Sequence, residues 1–140
     1  MTQSLIASFL RRYSLDQHRP MMIVFEMALF GIGSLFWIQA NLQDDAFNER
    51  TFGRFALMFP AEMWAGLMMA GAVCTIVGLI KPIRRDMVAI GAGLQAAQYI
   101  GQAYSSIATG GEFVIGLHLI MLFVPIHLWM LWEALRRDGL

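Results

Sequence analysis

Four long apolar runs constrain this 140-residue chain more than any other feature. Each run has about 20 residues, the length of helix that crosses the hydrocarbon core of a bilayer. The breaks support this division, because Pro20 and Pro60 precede the first two runs, the turn KPIRRD precedes the third, and Gly110 and Gly111 precede the fourth. The runs are residues 21–40, 61–80, 87–109 and 113–132. They predict an all-α polytopic membrane protein, a bundle of four transmembrane helices that forms one membrane domain over residues 1–140.

The composition favours the same class of protein. Hydrophobic residues make up 58% of the chain and charged residues 14%, and the formal net charge is zero. A nucleic-acid-binding surface needs an excess of basic residues, so nucleic acid is not an expected partner. The expected partners are the lipid bilayer and either further copies of the chain in a homo-oligomer or a larger membrane complex.

The basic residues predict the orientation. Eight of the ten lie in the N-terminal segment, in the turn between the second and third runs, and at the C-terminus. Cytoplasmic loops carry the excess of lysine and arginine, so we expect an N-in/C-in protein of the bacterial inner membrane. Residues 2–19 are predicted to form a cytoplasmic interfacial helix, since the apolar residues of 2–14 share one helical face. The phenylalanine-rich loop 41–60 predicts a short helix on the outer interface.

Small residues recur at intervals of four along the second and third runs. In lipid, helices associate through close packing and hydrogen bonds, so such rows predict a contact between these two antiparallel neighbours. The predicted packing residues are Gly66, Ala70, Cys74 and Gly78 on one helix, and Gly93, Ala97 and Gly101 on the other. Cys74 is then a packing residue, because no base lies near it in sequence and an apolar site disfavours the thiolate.

Three glutamines form a polar stripe on the third run. Gln95, Gln98 and Gln102 follow i, i+3, i+7 spacing and therefore fall on one narrow helix face. Unpaired amides in hydrocarbon are costly, so the stripe faces other helices or water. Either it is an interhelical hydrogen-bond ladder, or it lines a polar pathway in the monomer or at the centre of an oligomer. We favour the ladder.

Ionisable side chains inside membrane spans are candidate functional groups. By depth, Glu26 can meet His127 as a charge pair or proton relay, and His118 can meet Gln102. A neutral hydrogen bond between Glu26 and His127, or a Glu26 side chain that reaches the headgroups, are the alternatives. The two histidines are nine residues apart and lie on opposite faces of their helix, so they do not share a metal or haem. We expect no metal site and no cofactor.

Sequence signatures of soluble enzymes are absent. The chain contains no Gly-rich phosphate loop, no G-x-S-x-G and no H-E-x-x-H. We therefore expect no catalytic residues and no enzymatic activity.

The stretch FPAEMWAGLMMAGAVCTIVGLIKPIRRD resembles uncharacterised polytopic membrane proteins encoded by tailed phages. The shared motif is the entry to the second run, with Pro60, Trp64 and Gly66, followed by a glutamine-containing third run and a fourth ending LWEALRRD. This resemblance covers about residues 55–138. It implies a phage-related component that acts at the host membrane, holin-like or pore-forming.

The chain also resembles the DoxX-like family of bacterial four-helix membrane proteins. The shared features are the long first loop, a second run with Glu62, Gly66 and Gly71, and the basic turn that follows. This resemblance implies a membrane subunit of a redox or transport system, in which Glu26, His118 or His127 titrates during turnover. We favour the phage-related membrane component and keep the DoxX-like subunit as the alternative.

Overall fold

The computed structural model describes residues 14–42, 49–80 and 82–136, with the backbone alone for residues 49 and 50. Every regular element in these ranges is helical, which confirms the all-α prediction. The helices are α1 (Leu15–Leu42), α2 (Glu49–Leu57), α3 (Ala61–Leu79), α4 (Arg85–Ala108) and α5 (Phe113–Leu135). The long helices run up and down, and α4 packs against α2, α3 and α5.

Helix α1 begins earlier than the sequence predicts. The carbonyl of Ser14 accepts the N–H groups of Gln17 and His18 at 3.1 and 3.3 Å, and Pro20 lies inside the helix. The prediction that residues 2–19 form a separate interfacial helix is therefore wrong for residues 15–19, and residues 2–13 lie outside the described ranges. The physical reason is burial, because the early start places Leu15 in the same buried cluster as Met22.

Helix α2 fixes the connection between α1 and α3. Gly53 breaks it into two short segments with a φ of 79°, and a side chain there would collide with the carbonyl oxygen of Ser105. The amide of Ala56 donates to Ser105 Oγ at 2.7 Å, and Trp64 Nε1 donates to the Ala56 carbonyl at 2.9 Å. The short helix predicted in loop 41–60 is thus present and packs on α3 and α4, while its place at a membrane interface stays a prediction.

Close backbone approach joins α3 to α4. A Cβ on Gly91 would lie 2.6 Å from the Gly71 carbonyl oxygen, and one on Gly78 would lie 2.6 Å from the Val88 amide nitrogen. Residues at i, i+4 and i+7 on α3, namely Gly71, Thr75 and Gly78, form this contact. Only glycine allows the two backbones to come so near at Gly71, Gly78 and Gly91.

The predicted rows of small residues are partly wrong. Gly78 lies in the α3–α4 contact, Gly66 packs against Trp37 and Gly101 against Trp64, while Cys74 is half-buried. In contrast, Ala70 and Ala97 are exposed, and a Cβ on Gly93 would meet nothing within 4 Å. The reason is geometric: successive steps of four residues advance about 40° each, so a row of four turns about 120° around its helix.

Helix α5 contains one wide turn. The N–H of Val124 donates to the carbonyl of Leu119, five residues back, and the segment Leu119–Phe123 is a π-helical turn. Pro125 follows at the start of Val124–Leu135, where its ring and missing N–H prevent ordinary α-helical bonding to the preceding turn. The π turn absorbs this disturbance and ends four residues before His127.

Three of these helices, α1, α3 and α5, are long and apolar enough to cross a membrane. Helix α4, the third predicted span, is not among them, because its glutamines lower its hydropathy. Many large apolar side chains on α1, α3 and α5 are exposed, including Val24, Ile38, Val77 and Ile120. Such surfaces are compatible with a membrane protein.

Candidate functional site

The structure brings Glu26 and His127 together in the core. Glu26 extends from α1 and His127 from α5, and both side chains have 0% exposure. His127 Nε2 lies 3.2 Å from Glu26 Oε1. A carboxyl and an imidazole at this distance share a hydrogen bond or form an ion pair, away from water.

The backbone fixes the tautomer of His127. Its Nδ1 lies 2.6 Å from the carbonyl oxygen of Phe123, one turn earlier on α5. A carbonyl oxygen can only accept, so Nδ1 carries a proton and donates it. The remaining ring nitrogen, Nε2, faces Glu26. One proton therefore lies between the two side chains, either on the carboxyl group or on the imidazole.

The glutamine stripe continues this arrangement on α4. Gln95 Nε2 donates to the Met68 carbonyl at 3.0 Å and to Glu26 Oε2 at 3.4 Å. Gln98 Nε2 donates to Gln95 Oε1 at 2.6 Å. The chain of amides thus presents an N–H group to the second carboxyl oxygen of Glu26.

Further along the stripe, polar atoms lack partners. Gln95, Gln98, Tyr99 and Gln102 are all at most 3% exposed, so the stripe faces the inside of the monomer. Among the described residues, Gln98 Oε1, Tyr99 Oη and Gln102 Nε2 are buried without a hydrogen-bond partner. Tyr99 Oη lies beside the Gln98 side chain.

His118 does not join this site. Its side chain is exposed on α5, and its Nδ1 lies 2.7 Å from the carbonyl oxygen of Val114. The expected meeting of His118 with Gln102 is therefore wrong, because His118 lies on the outward face of α5, opposite His127. Glu62, in the first turn of α3, is half-buried and also lies outside the site.

The ring surroundings of His127 were not predicted. Phe25 of α1 and Tyr99 of α4 have ring centroids 5.8 and 5.4 Å from the His127 ring. The carbonyl of Met68, which holds Gln95, was also missed. Tyr99 borders the glutamines on the helix wheel, which was the available signal; nothing in the sequence indicates a backbone carbonyl as a partner.

Metal binding requires several ligating side chains close together. In the part of the chain that the structure describes, no group of three His, Cys, Asp or Glu side chains could hold a metal ion. Glu26 and His127 are the two ionisable side chains at this buried position, and Gln95 donates a hydrogen bond to Glu26.

The chain has no match among protein-family models, curated proteins or solved structures. The resemblances to phage membrane proteins and to the DoxX-like family therefore stay predictions.

Proposed function

We propose that the protein is a small multi-pass protein of the bacterial inner membrane whose four long helices, α1, α3, α4 and α5, all cross the bilayer. Helix α4 has 24 residues and a length of about 36 Å, enough for a hydrocarbon core of about 30 Å. Its glutamines face inward, and the large side chains on its exposed face are Ile90, Ile100, Tyr104 and Ile107. A helix surrounded by neighbours can cross lipid with a polar inner face.

The ends of the helices support the N-in/C-in orientation. Arg85 Nη1, at the start of α4, donates to the Arg136 carbonyl after α5 at 2.6 Å. At the opposite end, the Glu112 amide donates to the Thr51 carbonyl of α2 at 3.0 Å. Arg85, which follows the α3–α4 turn, and Arg136, which follows α5, thus meet at one end of the bundle, the end that the charge rule assigns to the cytoplasm.

Cysteine labelling tests this topology. In a Cys74→Ala background, a membrane-impermeant maleimide applied to spheroplasts should label Glu112→Cys and should label Asp86→Cys only after lysis. Both positions are exposed in the structure. Labelling of both cysteines from the same side would show that α4 does not cross.

We infer that this membrane component is non-enzymatic and binds and releases a proton in its core, as a transport-type subunit would. The observation that carries this function is the fully buried Glu26–His127 pair with its 3.2 Å separation. Ionisable groups at membrane depth are expensive and mark ion or proton sites. The Phe123 carbonyl and Gln95 hold the two partners so that one proton is exchanged between fixed atoms.

Proton flux into liposomes tests this function. The purified chain is reconstituted with an internal pH dye, and a potassium gradient with valinomycin drives proton entry. We expect flux above that of empty liposomes, and a reduction of at least about tenfold in Glu26→Gln and His127→Asn. The matched controls are Glu62→Gln and His118→Asn, which should retain wild-type flux. Wild-type flux equal to that of empty liposomes, or equal losses in the controls, would contradict the proposal.

A second candidate is the phage-related, pore-forming oligomer. The observation that favours it is the exposed side of α3 and α4, where Ala70, Ala97 and the open position at Gly93 leave room for a helix of another copy. The buried glutamines would not line such a pore. This candidate predicts dye leakage from liposomes that Ala97→Leu abolishes and Gln98→Leu does not, together with an oligomer on native gels.

A further inference from the structure

The surroundings of the Glu26–His127 pair differ towards the two ends of the bundle. On the side of the α3–α4 turn, Met22 lies four residues before Glu26 on α1, and Met130 lies three residues after His127 on α5. These two methionines belong to a buried apolar cluster, whose other buried members are Leu15, Leu79, Val88, Ala92 and Ala134. A proton crosses such a region only at a high cost, because the side chains of the cluster offer no strong hydrogen-bonding group.

Towards the opposite end of the bundle, which carries α2 and is the outer end in our topology, polar side chains continue from the pair. Gln95 donates to Glu26, and further polar residues on α4 follow, each at most 3% exposed. We call Gln95, Gln98, Gln102 and Ser105 the polar row. The polar row rises about 15 Å along α4, so it extends from the pair to the outer end of the bundle.

Helix α2 covers the outer end of the polar row. The amide of Ala56 donates to Ser105 Oγ at 2.7 Å, and the amide of Phe55 donates to Thr109 Oγ1 at 3.1 Å. The amide of Arg54 donates to the Thr109 carbonyl at 3.2 Å. Both Ala56 and Ser105 have 0% exposure. Helix α2 therefore lies between the polar row and the water at the outer end.

The contacts that hold α2 can be exchanged for water. The three hydrogen bonds named above run from backbone amides to oxygen atoms at the end of α4, and water replaces such bonds at a small net cost. Gly53, with a φ of 79°, divides α2 into segments too short to be stable helices alone, so the position of α2 depends on its contacts. A cavity of about 250 Å³ adjoins α2, and Phe52 forms part of its wall together with Leu29 and Phe123. Phe52 has fewer packing contacts on the side of this cavity.

We propose that α2 is a gate through which the Glu26–His127 pair exchanges its proton with the outer side of the membrane. This inference rests on the proposed function, since it concerns how a proton reaches the same pair. The gate is closed in the structure, because Ala56 is bonded to Ser105 and the polar row is buried. Displacement of α2 admits water to the polar row, whose amides and hydroxyl give an entering water the polar partners that it needs. The apolar cluster keeps the inner side closed.

Thiol accessibility in spheroplasts tests the gate. A cysteine replaces Gln102 in a Cys74→Ala background, and a membrane-impermeant maleimide is applied from outside. We expect slow labelling of Gln102→Cys, and labelling at least about fivefold faster when Ser105→Ala removes the acceptor of the Ala56 amide. Thr75→Val is the matched control, because it removes an equally buried hydroxyl group whose hydrogen bond stays within α3. It should leave the labelling rate unchanged.

Several labelling results would overturn the proposal. They are no labelling of Gln102→Cys, labelling only after lysis, and a rate that Ser105→Ala does not raise above that of the Thr75→Val control. Ala92→Cys, in the apolar cluster, separates opening of the gate from general loosening of the fold. It should stay unlabelled when combined with Ser105→Ala, and its labelling there would show general loosening, against the proposal.

A cross-link between α2 and α4 tests the gate through proton flux. The rings of Phe55 and Tyr104 have centroids 5.6 Å apart, so cysteines at the two positions lie within reach of a short bifunctional thiol reagent. In the Cys74→Ala background, the reagent should reduce the flux of the double variant Phe55→Cys/Tyr104→Cys at least about tenfold relative to the same variant untreated. Each single-cysteine variant should keep its own untreated flux. Unchanged flux in the cross-linked double variant would overturn the proposal.

Failure of the gate and failure of the proposed function are distinguishable. Absence of flux from the wild-type chain would contradict the proposed function, whereas the labelling of Gln102→Cys does not depend on flux. Wild-type flux together with a cross-link that does not reduce it would contradict the gate and leave the proposed function standing.

Discussion

The substitution Gly91→Ala tests the contact between α3 and α4 directly. The added methyl group would lie 2.6 Å from the Gly71 carbonyl oxygen and 2.6 Å from the Thr75 amide nitrogen. Both are backbone atoms of a helix, so the two helices must separate by roughly 0.8 Å to regain the 3.4 Å of ordinary contact. Overpacking of this kind costs about 1–3 kcal/mol, and alanine returns about 0.5–1 kcal/mol as the better helix former. We expect a net loss of up to about 2.5 kcal/mol in the free energy of unfolding.

Gly93→Ala is the matched control on the same helix. A methyl group there meets nothing within 4 Å, so the free energy of unfolding should stay unchanged or rise by up to about 1 kcal/mol. The assay is titration of the purified chain in detergent micelles with SDS, followed by tryptophan fluorescence and circular dichroism. Equal effects of the two substitutions, or a larger loss in Gly93→Ala, would refute the placement of the α3–α4 contact.

Two further pairs of substitutions follow in the same assay. Gln95→Leu removes the bond to the Met68 carbonyl and should cost about 1–3 kcal/mol, whereas Gln102→Leu removes no bond seen among the described residues and should cost less than about 0.5 kcal/mol. If Gln102→Leu costs as much free energy of unfolding as Gln95→Leu, the hydrogen bonds of the glutamine stripe differ from those described above. Gly53→Ala should destabilise by at least about 1 kcal/mol more than Gly110→Ala, because both have positive φ but only the first methyl group meets the backbone of α4. Comparable losses would contradict the docking of α2.

Local sequence signals correctly predicted where α3 begins and where α4 ends. Pro60 and the glycines after α4 mark real helix ends, because a missing N–H or an absent Cβ acts through the local backbone. The prediction that α1 begins after Pro20 was wrong, because burial of Leu15 and Met22 outweighed the one hydrogen bond that a proline removes. Tertiary burial is not a local property, so the sequence alone did not predict where α1 begins.

The sequence predicted the depth of each candidate residue along its helix, but it did not predict which helix face turns inward. Counting residues from the helix ends placed Glu26 level with His127, since both long helices rise 1.5 Å per residue. The same counting paired His118 with Gln102, which failed because depth does not specify which face of a helix turns inward. The prediction of the packing rows was partly wrong for a related reason. Residues spaced by four turn gradually around the helix, so Gly91 contacts α3 and Gly93 does not.

The sequence did not predict the cavity of about 250 Å³ between α1 and α5. Leu119 and Phe123, the first and last residues of the π-helical turn, line this cavity. Pro125 indicated a disturbed helix, but a kink and a wide turn are both consistent with a proline at that position.

Nitrogen-15 NMR of histidine in the reconstituted chain tests whether Glu26 and His127 share one proton inside the bundle. We expect His127 Nδ1 to carry a proton, because it donates to the Phe123 carbonyl. We also expect Glu26→Gln to change the signal of Nε2 and to leave the signals of His118 unchanged. A His127 ring without a proton on Nδ1, or an Nε2 signal unaffected by Glu26→Gln, would show that the two side chains do not share a proton.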